Sequence, residues 1–298
     1  MNLGYCCINL TLGKQGVTTN RTMRKATFLQ KGISYASQLA LANVTDLEKI
    51  LNWNAQNNVK VFRISSDMFP WASEYSLSDL PDWESICAVL SRCGILAKDA
   101  EIRLSAHPGQ FVKLASEREA VVSNSIKDLE IHSQIFDLIG LEDSHWNPIN
   151  IHVGCSFSPA VANRFCDNFE RLSPNLQKRL VVENDDKDSC FSVEQILEYI
   201  TDVIGTPITF DYFHHSFHSQ EIPEKTAALL AASTWHDYKP LFHFSDSRKL
   251  WEGSIGNPRA HSDYIYNKIE EHLDCDVELE AKAKELALLK YRRDFWEQ

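Results

Sequence analysis

The sequence has no Cys-x-x-Cys pair, no Gly-x-Gly-x-x-Gly and no acidic residue before Asp46. It also lacks any apolar run near the ~20 residues that a bilayer-spanning helix needs. Each absence excludes something. Eight cysteines in 298 residues are too sparse for a small disulfide scaffold, and without a Cys-x-x-Cys pair there is no zinc knuckle. The first residues, MNLGYCCINLTLGKQG, carry no basic segment ahead of their apolar run, which is too short and polar for a secretory signal. A cytoplasmic protein with reduced thiols is expected, monomeric, without a membrane partner, and nucleoid-associated if the source is prokaryotic. Glycine (11) and proline (10) are too few for a low-complexity linker. Hydrophobic residues at 44% and charged residues at 24% leave ample material for a core.

What is present is an alternation. Short, mostly apolar runs recur at residues 3–8, 59–65, 102–106, 149–153, 180–183, 207–210, 241–244 and 275–279. Such runs are too short for helices and read as strands buried on both faces of a parallel sheet. Helical periodicity follows most of them: Ile86, Val89, Leu90, Cys93 and Leu96, then Val161, Phe165, Phe169 and Leu172, then Val193, Ile196, Leu197, Ile200 and Ile204. Ser192 with Gln195, and Thr45 with Glu48, have capping-box spacing. Residues 264–269 and 286–289 also suit helices, the latter in a segment rich in Ala, Leu, Glu and Lys. Eight β-then-α units predict one (β/α)8 TIM barrel spanning 1–298 as a single α/β domain. A doubly wound sheet is the structural rival, disfavoured by the missing glycine fingerprint.

Barrel active sites lie at the carboxyl ends of the strands. Those ends hold His107, His152, Glu183, Asp211 with His214, His243, and Glu280, with His261 following in NPRAHSDY. A lone histidine there is more often structural, and a lone carboxylate is often a helix cap. Five histidines and three carboxylates converging on one mouth need a cation to relieve repulsion and satisfy the rings. Imidazole and carboxylate ligands without thiolate suit Zn, Mn or Fe, and eight ligands imply two or three ions, bridged naturally by Glu183 and Glu280. Closely spaced ions clamp the attacking and leaving oxygens of a phosphate displacement. Phosphodiester hydrolysis therefore leads over a two-ion sugar isomerase. His132, His145, His215, His218, His236 and His272 fall on helices or loops and read as mostly structural, His215 and His218 least securely because they neighbour His214. Cys6, Cys7 and Cys275 fall within strands.

Charge is unevenly spread. Thirty Lys and Arg against 41 Asp and Glu give −11, yet the first 45 residues hold five cations and no acid, leaving −16 for the rest. The stretch 14–31 follows the first strand and should project at the rim, with Thr18, Thr19, Asn20, Arg21 and Thr22 as phosphate donors.

Together the motifs LGYCCINLTLG, TTNRTMR, FRISSDMFPWAS, AHPGQF, IHVG, VVENDD, DYFHH, HFSDSR, AHSDY and ELEAKAKELALL resemble the UV damage endonucleases, in that family's order across essentially the whole chain. The family is similar in architecture to the abasic-site nuclease endonuclease four. The resemblance implies a TIM barrel with a trinuclear site, most often Mn²⁺, with Zn²⁺, Mg²⁺ or Co²⁺ as alternatives. It also implies damaged double-stranded DNA as partner, cut immediately 5′ of cyclobutane dimers and (6-4) photoproducts. It carries metal ligation onto His107, His152, Glu183, Asp211, His214, His243, His261 and Glu280, with Glu183, His243 and Glu280 catalytic. It carries lesion probing onto Gln110 and Phe111, the latter in place of a relative's tyrosine, and places Tyr5 and Asn9 in the lesion pocket. Two positions depart. Relatives have a ligating lysine two residues before His243, where this chain has Leu241, and often a histidine where it has Glu74. Leucine cannot ligate, so the ion count stays open. A binder without catalysis is the third reading.

Overall fold

The computed structural model describes residues 1–253, 255–270 and 273–296. Eight parallel strands form one sheet: β1 (Leu3–Cys6), β2 (Val61–Ile64), β3 (Arg103–Ala106), β4 (Ile149–His152), β5 (Leu180–Glu183), β6 (Ile208–Thr209), β7 (Leu241–Phe244) and β8 (Asp276–Leu279). The order is β6-β5-β4-β3-β2-β1-β8-β7. The seam between β6 and β7 closes through a parallel bridge between Asp211 and His243, where the His243 N–H donates to Phe210 O at 2.9 Å. Each expected strand is present, two of them (β5 and β7) with the bounds of their apolar runs and six slightly shorter, and helices lie between strands as a (β/α)8 barrel requires. All eight cysteines are free; Cys6 lies in β1, while Cys7 and Cys275 flank β1 and β8.

The two faces of the sheet differ in chemistry. Outward residues such as Tyr5, Phe62, Leu104, Val182, Phe242 and Val277 are fully buried under the helices. Inward residues are largely polar. Arg103 and Asp276 pair at 3.2 Å, with both side chains 1% exposed. Above them, Ser105 donates to Glu278 and Asn150 donates to Glu183. A buried charge is tolerated only with partners, so these links make a polar column beneath the mouth. Gly4 belongs to this packing, because a Cβ there would lie 2.4 Å from Val61 O.

Three local expectations need correction. Thr45 opens no helix: it lies inside helix Lys25–Gln56, its hydroxyl donating to Leu41 O at 2.7 Å. That helix also takes in Lys25 and Lys31 from the stretch expected to project at the rim, and its ladder is broken at Gly32, with φ 66°. Residues 264–269 are not helical; the Asp246 carboxylate accepts from the Tyr266 and Asn267 N–H groups instead. The Ser192–Gln195 capping box is formed in both directions. No helix among the described residues is long and apolar enough to cross a membrane. His272 lies outside the described residues.

Candidate metal centre

Strand ends set the centre. His152 and Glu183 terminate β4 and β5 in register with each other, and His243 is in register with Glu278. His107 and Glu280 stand one residue beyond β3 and β8. Asp211 caps helix Tyr212–Phe217: its Oδ1 accepts from the His214 N–H at 2.7 Å, which also fixes His214 one turn on. His261 is brought in by an antiparallel bridge to Ser247.

Glu183 is the hub and is fully buried. Its Oε2 lies 3.1 Å from His107 Nε2, 3.2 Å from His243 Nδ1 and 3.7 Å from His152 Nε2. Its Oε1 lies 3.2 Å from His214 Nδ1. Glu280 lies 3.5 Å from His243 Nδ1 and 3.6 Å from His261 Nδ1. Two triads have ligand atoms mutually within 4.8 Å: His107, His152 and Glu183, and Glu183, Asp211 and His243. They share Glu183.

Electrostatics follow from this crowding. Burial works against ionising Glu183, but His243, His152 and the other rings hold its carboxyl well below the usual range. Glu280 is likewise held low against burial by Arg63 and His243. Burial would lower His243, yet Glu183 and Glu280 push it up to about 10. Burial raises Asp211 and lowers His107.

Whether a cation fits is tested by what the ring leaves unsatisfied. Glu183 Oε1, Asp211 Oδ2 and His243 Nδ1 are buried and have no hydrogen-bond partner. Such orphans are costly unless something binds them. The imidazoles are also pre-oriented: Nδ1 contacts Pro108 O in His107, Asn184 O in His214 and Glu280 O in His261, at 3.0–3.1 Å. His152 Nδ1 has no hydrogen-bond partner, lies 3.5 Å from Asp185 Oδ1, and is not fixed in this way. Fixing one ring nitrogen selects the other as ligand, so the residues fit divalent ions.

A cleft of about 360 Å³ opens over the ring. Beside the candidate ligands His107, His152, His214 and His261 it is lined by Gln110, Lys113, Lys187 and Arg259, three of them cations that the sequence reading did not single out. Gly154, with φ 69°, turns the chain directly after β4, and a Cβ there would lie 3.3 Å from the Lys113 side chain. Gln110 is exposed, and the Phe111 ring is 83% exposed, on the turn after His107.

Other expected residues lie elsewhere. Tyr5 and Asn9 are buried and do not line an open pocket: Tyr5 faces outward, donating to Asn54 Oδ1 at 2.6 Å and accepting from Asn9 Nδ2 at 2.9 Å. Parity explains it, since Cys6 is the β1 residue whose Sγ meets Arg63 inside the barrel. Asn20 is exposed, whereas the Arg21 guanidinium turns inward to Gly16 O, Thr18 O and Asp46. Leu241 is buried, and Lys239 pairs with Asp274 and Asp276 at 2.9 and 3.0 Å, away from the ring. Glu74 is exposed beside Phe111 in a neighbouring cleft. Sequence reasoning missed Arg63, Glu278 and Asp185. The available signals were an arginine inside an apolar strand run and a Glu-x-Glu alternation that puts Glu278 and Glu280 on one strand face.

The sequence profile of the UV-endonuclease UvdE family matches residues 1–297. The chain is 32% identical to the UV-damage endonuclease of Schizosaccharomyces pombe over 98% of its own length, and spans half of that relative. It is 32% identical to the UV DNA damage endonuclease of Nostoc sp., covering 99% of this chain and 90% of the relative. The crystal structure of SacUVDE superposes with a TM-score of 0.86 at 32% identity, covering 100% of this chain and 98% of that one.

Proposed function

The chain belongs to the UV-endonuclease UvdE family, and on that premise we propose that it is a metal-dependent endonuclease that nicks UV-damaged duplex DNA immediately 5′ of cyclobutane dimers and (6-4) photoproducts to start excision repair. The observation that carries this reading is the pair of candidate ligand triads sharing the buried Glu183, beneath a cleft lined by His107, His152 and Gln110, with the exposed Phe111 next in sequence to Gln110. Two or three divalent ions, Mn²⁺ foremost, would supply Lewis acidity at the phosphate oxygens and acidify a water.

The protein's own groups do the rest. His107, His152, Glu183, Asp211, His214, His243, His261 and Glu280 would hold the cations, with Glu183, His243 and Glu280, the residues that tie the two triads together, also taken as catalytic. Lys113, Lys187 and Arg259 offer counter-charge to flanking phosphates, which fixes register on the duplex without reading sequence. Phe111 and Gln110 enter the stack where the damaged dinucleotide is weakest, since unstacking costs least at damage. Asn20 adds an exposed phosphate donor.

The test is incubation of UV-irradiated and untreated duplex with the Mn²⁺-loaded protein. Nicking confined to irradiated DNA, mapped 5′ of the lesion, is expected. Equal nicking of both substrates, or none, overturns the proposal.

A further inference from the structure

We infer that Glu278 is a positioning residue for His243, anchoring the ring's Nε2 so that Nδ1 is presented to a cation between Glu183 and Glu280. This rests on the metal-site reading above.

His243 differs from the other four imidazoles of the ring. Each of those has Nδ1 against a backbone carbonyl or Asp185. His243 has the reverse arrangement. Its Nδ1 lies 3.2 Å from Glu183 and 3.5 Å from Glu280, whereas its Nε2 lies 3.3 Å from Glu278 Oε2. Strand placement explains the inversion. His243 is the third of four residues of β7, deeper than its fellows, and Glu278 is its register partner on β8. Two inward side chains on adjacent strands, about 4.8 Å apart, meet at mid-length.

Glu278 is itself held in place. It is fully buried. Ser105 donates to its Oε1, while Oε2, which has no aligned hydrogen bond, lies 3.4 Å from Arg63 Nε and 3.3 Å from His243 Nε2. Arg63 and Ser105 are register partners on β2 and β3, so side chains from β2, β3 and β7 reach this carboxylate on β8. It belongs to neither ligand triad. A carboxylate that accepts from the far nitrogen of a ligating imidazole fixes the ring's tautomer and rotation, and losing it typically costs 10–100-fold in metal affinity.

The test uses the full chain. In protein labelled with ¹⁵N-histidine and loaded with Zn²⁺ as a diamagnetic probe, long-range ¹H–¹⁵N correlation should show His243 protonated at Nε2 and metal-shifted at Nδ1. A metal shift at Nε2 overturns the inference. In parallel, free Mn²⁺ is followed by electron paramagnetic resonance during titration. Glu278→Met should weaken the Kd about 10–100-fold. Glu278→Gln keeps a carbonyl acceptor and should stay within about threefold of wild type, a rescue that loss of packing alone would not give. A folded Glu278→Met variant that binds as wild type overturns the inference. If that variant does not fold, the wild-type nitrogen assignment decides. Wild-type protein that takes up no metal is a separate result, and it defeats the metal-site reading itself.

Discussion

Arg21 Nη2 donates to Asp46 Oδ2 at 2.5 Å, and the same guanidinium donates to Gly16 O and Thr18 O. One of the five cations in the acid-free first 45 residues is therefore an internal brace between the first loop and helix Lys25–Gln56. Lys14, Arg24, Lys25 and Lys31 remain exposed. Each phosphate contact contributes about 0.9 to the slope of log affinity against log salt. Arg21→Ala should leave that slope unchanged and cost about 1–2 kcal/mol of stability, because the lost bonds are charge-assisted but partly solvated. Lys14→Ala with Arg24→Ala should lower the slope by about 1 to 2 with little change in melting. Salt titration of duplex binding beside thermal denaturation checks both.

The same pair sets an acid limit. Burial raises the Asp46 carboxyl, but Lys49, Arg21 and the Thr18 N–H outweigh it and leave the folded value below the usual one. A carboxyl depressed in the folded state contributes stability above its unfolded value, near 3.9, and loses it as pH falls through the folded value. The stability gap between wild type and Asp46→Asn should thus be constant from pH 7 to about 5 and close below about pH 4. Urea denaturation at stepped pH measures it. A gap that widens toward acid contradicts the assignment.

Residues whose role follows from strand ends were legible in advance, and those whose role follows from parity were not. Eight apolar runs mark eight strands, and most of the candidate ligands, His107, His152, Glu183, Asp211, His243 and Glu280, lie at or beside the ends of those runs. Which alternate residue faces inward depends on closure, settled by the Asp211–His243 seam, so Tyr5 was misplaced and Arg63 and Glu278 were passed over. Helix Glu119–Ile139 was missed although Val122, Leu129 and Phe136 repeat on one buried face. The inward turn of Arg21 depends on Asp46, which is 25 residues away, and local composition does not encode that contact.

Metal removal tests the hub. Both ligand triads pass through Glu183, so its loss breaks both. Glu183→Gln should lower nicking by about 10²–10³-fold, the scale at which an electrostatic stabiliser of the transition state is lost. It should also lose most of the bound metal by elemental analysis. Chelation of the wild type should abolish nicking, with recovery on adding Mn²⁺. A Glu183→Gln protein that nicks normally overturns the hub role.

Phe111 offers the cleanest separation of recognition from chemistry. Its ring is 83% exposed, so truncation removes little packing and should leave the melting temperature within experimental error. It also stands clear of every ligand contact, so Phe111→Ala should keep the wild-type metal content. What it should lose is the stacking partner that fills the gap left by the damaged bases, worth about 1–3 kcal/mol per base. Preference for irradiated over untreated duplex should then fall about tenfold or more. Phe111→Tyr keeps the ring and should retain the preference. Competition binding with both duplexes measures the ratio directly. An unchanged ratio in the alanine variant would assign lesion discrimination to the shape of the cleft floor and not to the rim.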